Sequence, residues 1–121
     1  TMAGGHLRAA DHLMRSGEYR ASISRYYYAM YHTARAVIFA AVQGDDYQQH
    51  GIIARNLPAG LTDRPLRETQ LTDARLLRNE ADYDPYPTNE QLWEPDAKSL
   101  TVAASEFISD LEDFALSGGL V

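Results

Sequence analysis

The stretch Ala21–Val42, ASISRYYYAMYHTARAVIFAAV, runs for 22 residues without glycine or proline and constrains the fold more than any other. At about 100° per residue, Ile23, Tyr27, Met30, Ala34, Val37, Ile38 and Ala41 share one face and form a full apolar stripe. The opposite face carries Arg25, Tyr28, Ala29, His32, Arg35, Ala36 and Phe39, so much of it is aromatic or small too. A helix that is apolar on most sides is packed on most sides. The rest of the chain must close around it. Arg25 and His32, two turns apart and nearly in line, are expected in a packed or lined groove.

Other segments supply the covering helices. Leu7, Ala10, Leu13 and Met14 have helical spacing, with Ser16-Gly17 as a stop. Gly4 and Gly5 weaken the start of that first helix. Either Glu18 or Ser22 can cap the second helix, which should end near Gln43-Gly44. Residues 45–60 read as a linker followed by a short helix or turn, stopped by Pro58 and Gly60. A third helix is predicted from Asp63 to Tyr83, with Pro65 suited to its first turn. Leu71, Ala74, Leu77 and Ala81 share its apolar face, and Arg78 falls among them.

Two prolines in three residues make Tyr83–Pro87 a loop. Thr88 with Gln91 resembles a capping box that opens a final helix. Pro95 either interrupts that helix early or marks its true first turn after Glu94. Ala97, Leu100, Ala104, Phe107, Ile108, Leu111 and Ala115 then form a long buried stripe. No segment alternates as a strand would. The expected fold is all-α, an up-and-down bundle of four to five helices forming a single domain over residues 2–119.

Composition narrows the function. Without cysteine there is neither a disulfide nor a Cys-ligated zinc site. His6 and His12 are six apart and fall on different helix faces, so they do not make a metal pair. No apolar run approaches the roughly 20 residues of a membrane span, no signal-peptide pattern stands out, and a cytoplasmic location is expected. A net charge of −6 argues against a broad nucleic-acid surface. Arg55, Arg64, Arg67, Arg75 and Arg78 nonetheless lie close together in the chain, as a local basic patch on an acidic body would require. Phosphate loops, nucleophile elbows and His-Glu-x-x-His helices are missing.

What remains is Arg, His and Tyr. Arg78 on an apolar face needs a partner, and Asp82 stands four residues on. This is either a structural ion pair or an arginine held to meet a phosphate or a partner carboxylate. His50 beside Gly51 is either a core-bonded histidine or a place where the backbone approaches a ligand. The tyrosines of Tyr26–Tyr28, Tyr31, Tyr83 and Tyr86 either pack with a polar tip or stack on bases. Packing suits Tyr27; Tyr28 and Tyr83 are open to both roles.

The run Gly17-Glu18-Tyr19-Arg20-Ala21-Ser22-Ile23-Ser24-Arg25-Tyr26-Tyr27-Tyr28-Ala29-Met30-Tyr31-His32-Thr33-Ala34, followed by His50-Gly51 and then Arg78-Asn79-Glu80-Ala81-Asp82-Tyr83, resembles the small prokaryotic branch of HEPN-domain proteins. The resemblance covers about residues 7 to 115. It implies a helical bundle, commonly a homodimer, often paired with a minimal nucleotidyltransferase as a toxin–antitoxin system. HEPN ribonucleases place a His a few residues after a catalytic Arg; here Arg78-Asn79 is followed by Tyr83 at that place. The implied function is binding of RNA, a nucleotide or the nucleotidyltransferase partner through a polar Arg/His/Tyr cleft. The alternative is a metal-independent endoribonuclease using Arg78 with His32 or Tyr83. Arg25, Tyr28, His50, Asn79 and Asp82 are the expected binding residues, and no cofactor is expected.

Overall fold

Among the described residues, four helices organise the chain: α1 (Met2–Arg15), α2 (Tyr19–Ala41), α3 (Arg64–Tyr83) and α4 (Glu94–Ser117), with a short 3-10 turn at Glu90–Trp93. The computed structural model describes residues 2–41, 57, 58, 60, 61, 63–83 and 90–117. His50, most of the linker and short helix or turn expected over 45–60, and Thr88 of the expected capping box lie outside the described residues, as do the side chains of His6, Phe39, Ala41 and Tyr83. Among the described residues there is no strand, and no helix is long and apolar enough to cross a membrane.

Local chemistry sets the boundaries. At the end of α1, Gly17 takes φ 76°, a conformation that costs glycine little. The Glu18 amide then donates to the Leu13 carbonyl at 2.9 Å and the Gly17 amide to Met14 at 3.2 Å. This Schellman pair satisfies carbonyls that would otherwise be stranded. α1 itself continues through Gly4 and Gly5. Of the two caps considered for α2, Glu18 holds the position, since its carbonyl accepts the first helical bond from the Ser22 amide at 3.0 Å. Ser22 lies inside the helix, fully buried, with its hydroxyl donating to the Tyr19 carbonyl at 2.7 Å. α3 begins as expected with Pro65 in its first turn. Pro95 sits in the first turn of α4, where its missing N–H costs nothing.

α2 is the hub. α1, α3 and α4 all pack against it, and Ile23, Tyr26, Tyr27, Ala29, Met30, Tyr31, Ala34, Val37 and Ile38 are buried. The predicted stripe of α4, from Ala97 to Ala115, is buried along its whole length. Arg20 on α2 reaches the end of α3, and Arg67 on α3 reaches Asp110 on α4. Successive helices therefore run antiparallel, up and down.

One expectation for α2 needs correction. Among the described residues, three helices pack on it and leave one strip open, so Arg25 is exposed and His32 only half-buried instead of both being enclosed in a packed groove. Burial also extends past the predicted stripe. Tyr26 is 1 % exposed, because its hydroxyl donates to the Asp11 carboxylate at 2.6 Å and the ring can then go fully inside.

The α3–α4 seam holds a charge that the sequence left unassigned. The Arg67 side chain is 7 % exposed, and its guanidinium bonds the Asp110 carboxylate, itself 37 % exposed. Gln70 accepts a second bond from it at 2.7 Å. Removing the two partners has unequal consequences. Asp110→Ala strands a cation in the interior and should cost about 2 kcal/mol, reduced from the fully buried case by the solvent around Asp110. Arg67→Met leaves a carboxylate that water can reach and should cost less than about 1 kcal/mol. Urea unfolding of both variants checks this; equal losses would rule out the asymmetry.

Candidate functional site

The open side of α2 carries a row of rings. Residues three and four apart on a helix are neighbours, and the tyrosine cluster uses that spacing twice. Tyr27 stacks with Tyr31 at 6.2 Å between centroids and 25° between planes. Tyr28 lies over His32 at 6.3 Å and 30°. Tyr31 meets His32 edge-on at 5.2 Å. Tyr27 and Tyr31 belong to the core, while Tyr28 and His32 are half-buried and face outward from it.

α3 lays one cation across this row. The guanidinium carbon of Arg78 is 5.4 Å from the Tyr27 ring centroid and 5.3 Å from that of Tyr28. Both distances are inside the range for cation–π attraction. Its Nη1 donates to the Asp82 carboxylate one turn on at 3.4 Å, a long and weak contact. Its Nε is buried and has no hydrogen-bond partner among the described residues. The side chain is 14 % exposed. Arg78 is thus held by ring faces and one loose carboxylate, with donor capacity left over.

Burial decides the ionisation of the phenols here. It pushes the Tyr27 hydroxyl far above its ordinary value, against the opposing pull of Arg78 and Arg75. Burial and the Asp11 bond raise Tyr26 to about 12. Both stay neutral and act as packing and hydrogen-bonding groups, not as proton acceptors.

The residues predicted from sequence divide accordingly. Arg78, Asp82, Tyr28 and His32 form one connected line of contacts across α3 and α2. Arg25 lies one turn before Tyr28 and is exposed. Asn79 is half-buried beside Arg78. His50 and the Tyr83 side chain fall outside the described residues.

Sequence reading missed Arg20. Its Nε and Nη2 both donate to the Ala81 carbonyl, at 2.9 and 2.5 Å, while its backbone amide donates to Glu90 at 3.0 Å. The fork ties the start of α2 to the turn of α3 that carries Arg78 and Asp82. A cation at a helix C-terminus is also favoured by the helix dipole. Its main acceptor is a backbone carbonyl 61 residues away, and no side-chain pattern announces such a partner. Among the described residues, no group of three His, Asp or Glu side chains is arranged to hold a metal.

The family model for the HEPN domain matches residues 1–114 of the chain. No curated protein and no solved structure matches it.

The buried phenols give a direct check on the aromatic row. An acid whose folded pKa is raised contributes stability that is complete below its unfolded pKa and lost as pH rises toward the folded one. For Tyr26 that window runs from 10.0 to about 12. Ultraviolet titration should show Tyr26 and Tyr27 ionising only as the protein unfolds. Tyr26→Phe should flatten the loss of stability across this window. Simultaneous ionisation of every tyrosine in a folded chain would contradict the burial described.

Proposed function

The chain belongs to the HEPN-domain family, and on that footing we propose that it is the HEPN component of a two-component, toxin–antitoxin-like system that binds RNA through the open face of α2. The observation that carries this reading is the Arg78 guanidinium lying against Tyr27 and Tyr28, bonded among the described residues only by a long contact to Asp82. A phosphate can accept from the remaining N–H groups of this guanidinium. The half-buried rings of Tyr28 and His32 offer base-stacking surfaces beside it.

Arg25, Arg35 and Arg75 lie exposed or half-buried on the same two helices. With Arg78 they place positive charge in one small region of a chain whose net charge is −6. Binding of a short single strand suits that distribution better than a long duplex footprint. A minimal nucleotidyltransferase partner and a homodimeric state complete the proposal and rest on the family resemblance.

Metal-independent cleavage is the second reading, and the proximity of Arg78 and His32 to the same Tyr28 ring favours it. His32 would take the proton from a ribose 2′-hydroxyl, whose oxygen attacks the adjacent phosphorus. The 5′-oxygen leaves and takes up a proton, giving a 2′,3′-cyclic phosphate. Arg78 would stabilise the extra negative charge in the transition state.

Anisotropy with a labelled single-stranded RNA separates these readings. Arg78→Ala should weaken binding about tenfold or more. With four arginines on the face, the slope of log K against log salt should be no steeper than about −3. If the face also cleaves, product appears in the presence of a chelator, and His32→Ala abolishes it even at protein concentrations that saturate the RNA. Unchanged affinity in Arg78→Ala would overturn the proposed interface.

A further inference from the structure

The side of α3 turned away from the arginine face borders a groove with different chemistry. α3 and α4 each pack mainly on α2 and touch one another less, which leaves a cleft of about 220 Å³ between them. Ala74 and Leu77 from α3, with Leu100 and Ala103 from α4, form its apolar floor, and Asp73 and Asp96 stand on opposite rims. Both aspartates are exposed, and neither makes an ion pair among the described residues.

The surrounding charge is of the same sign. Glu106, farther along α4, accepts only a long contact from the Gln70 amide at 3.4 Å. Arg67 is committed to Asp110, and Lys98 is tied to Glu94 at 2.7 Å. The bundle thus presents apolar surface bordered by carboxylates that its own cations do not neutralise.

We infer that the α3–α4 groove docks a basic amphipathic helix of a partner protein, aliphatic on the contact face and lined by Lys or Arg along its borders. Charge complementarity selects the occupant, since cations on both borders of the incoming helix would meet Asp73 and Asp96. Groove geometry selects the helix. The α3 residues lining it, Gln70, Asp73, Ala74 and Leu77, follow helical spacing over two turns, about 10 Å. Small side chains at Ala74 and Ala103 let another helix axis approach to the usual ~8–10 Å, in the manner of helix-in-groove recognition. This surface is separate from the α2 face, and the inference does not depend on RNA binding there.

The test uses the full chain and two synthetic peptides of identical composition. One arranges leucine and alanine on a single helical face with lysine and arginine on its borders; the other is scrambled. The ordered peptide should bind, and Asp73→Lys or Asp96→Lys should each weaken it about tenfold. Ser99→Trp fills the groove without altering charge and should block binding. Glu112→Lys, exposed on another face of α4, makes the same charge change and should leave affinity within about twofold. Absence of binding, equal binding of the scrambled peptide, an equal loss in Glu112→Lys, or full affinity in Ser99→Trp would each overturn the assignment.

Discussion

Burying tyrosine rings on a single central helix is the constraint to which the rest of this bundle answers. A phenol inside a protein brings a large apolar area and one polar group that must find a partner. Tyr26 meets the requirement by bonding Asp11 across to α1. Tyr27 and Tyr31 meet the packing side of it by stacking on one another and on their neighbours. The covering helices are placed so that these rings are enclosed while Tyr28 and His32, on the next strip of the same helix, are only partly covered. Core and candidate site are therefore adjacent strips of one element. The guanidinium of Arg78 spans the border between them.

Charge is sorted by the same arrangement. α3 packs on α2 and, less extensively, on α4, and it contributes to two unlike surfaces. Toward α2 it offers Arg75 and Arg78, the two cations that act on the Tyr27 phenol. Toward α4 it offers Asp73 on the rim of an apolar cleft. A net charge of −6 describes neither surface. It is the average of a small cationic strip and a broader acidic seam, and average charge controls solubility and long-range steering more than local recognition.

Much of the fold was legible because it is written in local signals. The apolar spacing of α4 marked its buried face, Gly17 marked the end of α1, and Pro65 marked the first turn of α3. The pairing of Arg78 with Asp82 was readable for the same reason, since the two are one turn apart. Sequence pattern gave less guidance where the deciding neighbour was remote. Arg67 looked like one arginine in a basic cluster, yet its partner Asp110 is on another helix. Tyr26 lay off the predicted stripe, and an aspartate on α1 made its burial possible. The openness of α2 around Arg25 depends on where three other helices end up, which periodicity within α2 does not encode.

The fork of Arg20 on the Ala81 carbonyl bears on the entropy of any encounter at Arg78. It fastens the last turn of α3 to the first turn of α2, and two aromatic faces limit the rotamers of Arg78 just beyond it. Immobilising a long side chain at an interface ordinarily costs about 0.5–1.5 kcal/mol at the moment of binding. In this bundle much of that ordering is completed when the chain folds. A ligand arriving at the α2 face meets a guanidinium whose direction is already set.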